Sequence, residues 1–340
     1  MLSSSIDISV VIPTCNRREQ LVHLLKTLDQ SSYRVREVII VDSGEDRLGE
    51  NDRDCFGNLH LVYLASEKSV CVQRNIGIQR ARCEWIFLCD DDMEVPTDYL
   101  EKLVRHHTTH PATGAISGLI LQQFNNAWIS SYPITSPLML IWKFIFQLNI
   151  WGEIKFSSSN RIVRRIKRFY ERKGNHISRA GWPVVTNFSG DYFTTPVYGL
   201  GASLVRKDWL LKSPYEEILD KHGIGDNYGV NMGFPPGGIH IVTTAFVYHH
   251  RGPENRLMRP AQYFRRVLAL DYFRKVKKRP SHVSKYWLLW SLAGNFLSFL
   301  FDRDMMMVRP ALKSLWQIAL GRNPYYEASR LNKRIVEPRL

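Results

Sequence analysis

Cysteine is scarce in this 340-residue chain: five residues, Cys15, Cys55, Cys71, Cys83 and Cys89, all before residue 90. None stands in a C-x-x-C spacing, so no zinc-ribbon site is expected, and such usage suits a reducing compartment. Cys15 and Cys89 abut expected strands and read as small buried hydrophobes. Long apolar runs are missing too. The longest, residues 286–301, has 16 residues, short of the ~20 that span a bilayer. The opening "MLSSSIDISVVIPTCNRR" has no basic n-region and too short an apolar stretch for a secretory signal. Glycine is absent from "IPTCNRREQ", after the first expected strand. That excludes a G-x-G-x-x-G dinucleotide fingerprint and argues against the phosphate loop of a sugar-nucleotide pyrophosphorylase. No repeat, low-complexity tract or nucleic-acid-binding motif is visible.

Acidic charge is also in deficit. Asp and Glu number 32 against 46 Lys and Arg, a formal net charge of +14. An anionic partner is expected, and nucleotide phosphates, nucleic acid and an anionic membrane face all qualify. The 44% hydrophobic content is enough for a sizeable core.

What is present is an alternation of strands and helices. Residues 8–12 are apolar and β-branched, and Pro13 ends the run. Asn16 and Glu19 resemble a capping box, and Leu21, Leu24, Leu25 and Leu28 follow at helical spacing. Strands are expected at 38–41, ending on Asp42, at 59–64 and at 85–89. Ser69 should cap a helix reaching about residue 82, and Thr97 another; 114–122 is a further strand. The pattern predicts a mostly parallel α/β sheet covered on both faces. Ligands bind such sheets at the carboxyl ends of the strands, which brings Thr14, Asp42 and Asp90, Asp91 and Asp92 to one edge.

"IFLCDDDMEV" runs a buried strand straight into three carboxylates, which repel one another and lose hydration there. Their common use is to hold a hard divalent cation against substrate phosphates. Strand alternation turns Asp90 and Asp92 one way and Asp91 the other, a D-x-D pair with a third acid behind it.

Together, "SVVIPTCNR", "VIIVDSGED", "RNIGIQRARCEWIFLCDDDMEV" and "FVYHHRG" resemble, in order, the motifs of family 2 glycosyltransferases of the GT-A fold. The resemblance spans roughly residues 6–255. It implies a nucleotide-diphosphate sugar donor, usually inversion at the anomeric carbon, and Mn²⁺ or Mg²⁺. Pro13 and Thr14 would border the nucleotide, Asp42 would accept a hydrogen bond from the base, and Arg74 would lie near the diphosphate. Asp90 and Asp91 would contact the donor, and Asp90, Asp92 and His249 the metal, with His250 left open. The family's Glu-Asp pair after a glycine becomes Asp226-Asn227 in "HGIGDNYGVNMGF". Asn227 cannot act as a base, so Asp226 is the expected general base, with Asp191 and Asp220 as alternatives.

The expected organisation is a GT-A domain over residues 1–255, with an aromatic and basic insertion at about 130–175, and a helical, basic region over 256–340. "RPAQYFRRVLALDYFRKVKKRP" followed by "YWLLWSLAGNFLSFLF" suits an anionic headgroup layer, with Arg265, Arg266, Lys275, Lys277 and Lys278 facing lipid. Residues 137–168 repeat that arrangement. With these basic and apolar stretches, the resemblance implies hexosyl or deoxyhexosyl transfer to a glycan or polyprenyl-diphosphate-linked acceptor in polysaccharide biosynthesis, by a peripheral enzyme at the cytoplasmic face of the membrane. The competing readings are a basic nucleic-acid- or membrane-binding protein without catalysis, and a pyrophosphorylase-like nucleotidyltransferase.

Overall fold

The strand runs read from the sequence all enter one mixed sheet. The computed structural model describes residues 6–49, 52, 55–235, 237–252, 257–277 and 280–340. In chain order its elements are β1 (Ile8–Thr14), α1 (Arg18–Asp29), β2 (Glu37–Asp42), β3 (Leu61–Ala65), α2 (Val70–Arg80), β4 (Trp85–Cys89), β5 (Met93–Glu94), α3 (Tyr99–Thr109), β6 (Ala115–Phe124) and β7 (Ala127–Ile129). Then come α4 (Pro137–Ile145), β8 (Ile150–Trp151), α5 (Arg161–Lys173), β9 (His176–Ile177), β10 (Pro183–Val185), β11 (Tyr192–Thr195), β12 (Ala202–Arg206), α6 (Lys207–Lys212), α7 (Asp226–Asn231) and β13 (Ile239–His249). The chain closes with α8 (Arg259–Val276), α9 (Lys285–Phe301), α10 (Met305–Ala319) and α11 (Pro324–Arg330).

Among the described residues the large sheet runs β11-β13-β6-β12-β4-β1-β2-β3, with β5 added to β13 and β7 to β6. The strands from β4 to β3 are parallel, as expected, but β12 lies antiparallel between β4 and β6. The sheet is therefore mixed. The register sets Thr14 beside Asp42 and Ala202 beside Cys89. One edge thus collects the ends of β1, β2 and β4 and the start of β12.

Both faces are covered. Leu21, Leu24, Leu25 and Leu28 of α1 pack with Tyr99, Leu100 and Leu103 of α3 under one face. On the other face Cys71 and Ile78 of α2 share a core with Phe264, Leu268 and Phe273 of α8 and with Leu288 and Leu292 of α9. The C-terminal helices are thus packed into the same core as the sheet.

Two caps differ from expectation. Asn16 has φ +52° and its Oδ1 accepts the backbone N–H groups of Glu45 and Asp46, so it ties down the loop after β2 instead of capping α1. Asp98, not Thr97, precedes α3, and the Thr97 carbonyl accepts the Ser32 N–H. Ser69 does cap α2, accepting from Val72 N–H at 3.5 Å. Cys89 is buried, whereas Cys15 is only partly so.

The insertion has a small core of its own. Ile134, Leu140, Ile150, Val163, Ile166, Tyr170 and Val184 pack α4 and α5 around a three-stranded sheet, β8-β10-β9. It docks on α9 through tryptophans. The indole N–H groups of Trp142 and Trp182 donate to Ser298 Oγ (2.8 Å) and Ser291 Oγ (2.9 Å), and that of Trp290 to the Ile145 carbonyl (2.8 Å). Phe146 lies against Gly294, where any Cβ would strike its ring.

Candidate active site

A cleft of about 1030 Å³ opens along the collected strand ends and is walled on its far side by the 221–228 loop and α8. Pro13, Thr14, Arg74, Asp90, Asp91, Asp92, Asp226 and His249 all line it. Asp42 does not. It is buried beside Thr14, and its carboxylate accepts the Gly44 N–H at 2.7 Å and the Tyr63 hydroxyl.

Each aspartate of the triplet has its own partner. Asp91 turns inward, accepting from the Thr14 hydroxyl at 2.8 Å and from Arg17 Nη1 at 2.9 Å. Burial pushes its carboxyl up to about 6, with Arg17 pulling the other way. Asp92 Oδ1 lies 3.2 Å from His249 Nε2, and its Oδ2 3.4 Å from Arg17. Asp90 Oδ1 accepts from Arg74 Nη2 at 2.5 Å. A side chain at Gly201 would collide with the Asp90 carboxylate, which accounts for a glycine at the start of β12.

Arg74 is the junction of the site. Buried on α2 and lying 5.0 Å from the Tyr215 ring centroid, it sends Nη2 to Asp90 and Nη1 to Asp226 Oδ2. One guanidinium fork thus joins two acids that are far apart in sequence. Asp226 opens α7 after Gly225, whose φ of +96° favours glycine. Its Oδ1 accepts the Asn227 N–H at 2.6 Å. Burial raises its carboxyl to about 6, against the lowering effect of Arg74. Asn227 Oδ1 accepts the Leu200 N–H at 3.1 Å, fastening α7 to the glycine turn before β12.

Neither alternative acid reaches the cleft. Asp220 is fully buried, 3.2 Å from Arg265, and Asp191 is exposed with its carbonyl accepting from Thr243. His250 points away from the cleft, toward Glu94 at 2.7 Å.

Three contributors were missed in the sequence. Gln73 donates to the carbonyls of Thr14 (2.6 Å) and Val41 (2.7 Å), stitching β1 to β2 beneath the cleft. Arg17 grips two of the aspartates. Arg266 lines the cleft, its pKa lowered by desolvation and then by Arg251. The run of polar residues Gln73, Arg74 and Asn75 inside an otherwise packed helix was the available signal for the first of these.

The basic side chains expected to face a headgroup layer also make contacts within the fold. Arg265 is buried against Asp220, Lys277 pairs with Glu216 at 2.9 Å, and Lys275 sits 4.4 Å from the Tyr326 ring centroid. Lys278 lies outside the described residues. Among the described residues no helix is long and apolar enough to cross a membrane.

An α/β sheet with acids at its strand ends and a basic far wall is the architecture of the GT-A fold. Residues 9–173 match the family described as glycosyl transferase family 2. A curated relative from Bacillus subtilis (strain 168), the uncharacterized glycosyltransferase YwdF, is 28% identical over 134 residues, covering 38% of this chain and 48% of the relative. Among solved structures, S. aureus TarS 1-349 in complex with UDP-GlcNAc superposes with a TM-score of 0.52 at 12% identity, covering 96% of this chain and 93% of that one. The same TarS segment solved by itself gives 0.50 at 12% identity, over 96% and 92%. At that identity the likeness is one of fold.

Proposed function

We propose that this enzyme moves a hexosyl or deoxyhexosyl unit from a nucleotide-diphosphate donor to a glycan or polyprenyl-diphosphate-linked acceptor, with inversion and with Asp226 as general base. The observation that carries this reading is the Arg74 fork, which holds Asp90 of the strand-end triplet and Asp226 of the opposite wall in one cleft. The UDP-GlcNAc bound by the structurally similar TarS segment supports a nucleotide-sugar donor.

Pro13 and Thr14 border the nucleotide. Asp42, buried off the cleft with the Gly44 N–H and the Tyr63 hydroxyl on its carboxylate, shapes the loop at the end of β2 and does not meet the base itself. Arg74 and Arg266 face the diphosphate. Asp226 takes the proton of the acceptor hydroxyl as its oxygen bonds to the anomeric carbon and the bond to the β-phosphate oxygen breaks. The nucleotide diphosphate leaves on the opposite face of the sugar. Inversion requires the base and the leaving group to flank the sugar.

Asp92 and His249 are the residues that would hold a divalent cation here. Asp92 and His249 approach to 3.2 Å, while Asp90 is turned to Arg74. Carboxylate plus imidazole suits Mn²⁺ at least as well as Mg²⁺, the other ligands coming from phosphate and water. When bound, the cation neutralises charge building on the departing diphosphate.

Residues 1–255 are assigned to the catalytic domain and 256–340 to a helical region that closes the cleft. The membrane-facing surface is assigned to the insertion, at the cytoplasmic face. Helix α5 carries seven Lys or Arg against one Glu, and beside it Leu138, Met139, Ile145 and Phe301 are exposed on α4 and α9. Aromatic contacts from Phe169 to Phe144, and from Trp142 to Phe301, connect the basic and apolar parts. This pairing of cationic and apolar surface suits an anionic bilayer presenting a lipid-linked acceptor.

The test is a screen of purified nucleotide sugars for Mn²⁺-dependent hydrolysis or transfer, with Asp226→Asn alongside. Turnover of at least one donor by the native chain, lost in the variant while donor binding persists, is expected. Undiminished turnover in Asp226→Asn removes the base assignment.

A further inference from the structure

The alternation along the end of β13 that turns His249 toward Asp92 turns His250 the opposite way. There His250 Nε2 lies 2.7 Å from Glu94 Oε2, and His23 Nε2 of α1 approaches the same oxygen at 3.6 Å. Among the described residues these three are the one group of His, Cys, Asp or Glu side chains whose ligand atoms all lie within 4.8 Å of one another. None of them lines the cleft. Both histidines are exposed and Glu94 is half-buried, so ions reach the cluster directly from solvent.

We propose that His23, Glu94 and His250 form a site for a borderline divalent cation, Zn²⁺ foremost, separate from the Asp92–His249 pair. Two imidazole nitrogens and one carboxylate oxygen, with a fourth position open to water, are a usual zinc donor set. A tetrahedral Zn²⁺ with bonds of about 2.0–2.1 Å sets its ligand atoms about 3.3 Å apart. The two observed separations, 2.7 and 3.6 Å, straddle that spacing, so small side-chain rotations complete the site. Imidazole ligands select Zn²⁺ over the oxygen-seeking Mg²⁺. The chain would then sort two cations by ligand type, one at each side of the strand end.

The three ligands come from α1, β5 and the end of β13, and a bound ion would cross-link all three. The His250 N–H donates to the Asp92 carbonyl at 2.9 Å, and His249 pairs with Met93 across the β13–β5 ladder. The staple thus fastens the backbone that presents Asp92 and His249 to the cleft. The Trp128 ring, 5.3 Å from the His250 ring centroid to centroid, backs the imidazole on another side. This inference stands apart from the reading of the cleft, since it concerns cation binding alone.

The experiment uses the full chain, stripped with chelator and titrated with Co²⁺ while the visible d–d bands are recorded, then with Zn²⁺ by calorimetry and thermal melting. One saturable equivalent is expected, with a tetrahedral Co²⁺ spectrum and a melting temperature that rises with Zn²⁺. His23→Gln, which keeps a hydrogen-bond donor near Glu94, and Glu94→Gln should each weaken binding about 10–100-fold, the scale of metal-site perturbations. Asp92→Asn and His249→Ala should leave it intact. Absence of saturable Zn²⁺ binding, a Co²⁺ thiolate charge-transfer band, equal affinity in His23→Gln, or loss in Asp92→Asn would each overturn the proposal.

Discussion

The two walls of the cleft carry opposite charge in opposite states. On the strand-end wall, Asp90, Asp91 and Asp92 each meet an arginine or histidine, and the Thr14 hydroxyl adds a hydrogen bond. On the opposite wall, desolvation first and then the neighbouring Arg251 lower the pKa of Arg266. The acidic wall is therefore largely neutralised by protein. Arg17, Lys68, Arg74, Lys221, Arg251 and Arg266 line the cleft together with the three aspartates and Asp226. Asp226 is the exception on the basic side, an acid held there by Arg74.

Breaking that exception should give the largest effect. Asp226→Asn keeps the side-chain shape but removes the proton acceptor. Transfer should fall by roughly 10²–10⁴-fold, the scale of a general base, with donor affinity little changed. Steady-state kinetics beside a direct donor titration checks both halves of that statement. A loss seen only in donor affinity would reassign Asp226 to loop structure.

Next in size is the junction between the walls. Arg74→Met leaves the buried Asp226 and the half-buried Asp90 without their shared cation. Removing one partner of a buried ion pair costs about 3–5 kcal/mol, which urea denaturation reads directly. Pairing it with Asp226→Asn should recover part of that loss, because one stranded charge disappears. Purely additive penalties would mean that the fork does not couple the two acids.

The pH dependence separates the acids from the basic wall. Burial raises Asp226 to about 6, so its ionised form is lost as pH falls through that value. Activity should show an acidic limb near 6, dropping about tenfold per pH unit below it. For stability the sign is reversed. A carboxyl whose folded pKa lies above its unfolded value near 4 favours folding when protonated, so its contribution grows as pH falls from about 6 toward 4. An acidic activity limb accompanied by parallel loss of fold over the same range would contradict this assignment.

The strand-end wall was the more legible of the two, for a geometric reason. A buried strand reads as a continuous apolar run, and a sheet gathers the carboxyl ends of its parallel strands on one edge. Thr14 and the aspartate triplet could be brought together without knowing a single tertiary contact. Which acid faces which cation was hidden: Asp90 meets Arg74, whereas Asp92 meets His249. Asn16 shows the same limit, since its short amide suits a cap or a loop tie equally and only the position of the 44–46 segment decides. On the helical wall the sequence showed a basic amphipathic stretch, and the lipid reading of α8 came from its charge count. Arg265 and Arg266 are adjacent, however, and successive helical residues point about a quarter-turn apart. One went into the core and the other into the cleft.

That neighbouring pair supplies the finest test of the comparison. Arg265 is buried beside Asp220, which is itself fully buried and one residue before the Lys221–His222 segment of the cleft wall. Arg266 faces the cleft. Arg265→Gln should lower stability and, through the loosened loop, reduce the rate modestly while KM for the donor stays near its native value. Arg266→Gln should leave the melting temperature nearly unchanged. It should raise KM for an anionic substrate by about tenfold, the loss of one charge-assisted hydrogen bond worth roughly 1.5–3 kcal/mol in part offset by water. The substrate affected tells which anion the basic wall serves. A KM effect on the nucleotide sugar assigns Arg266 to the donor diphosphate, and an effect confined to a phosphorylated acceptor assigns it to that acceptor. The same small change in stability and the same KM in both variants would mean that the two arginines are interchangeable, and the contrast between core and cleft on α8 would carry no functional weight.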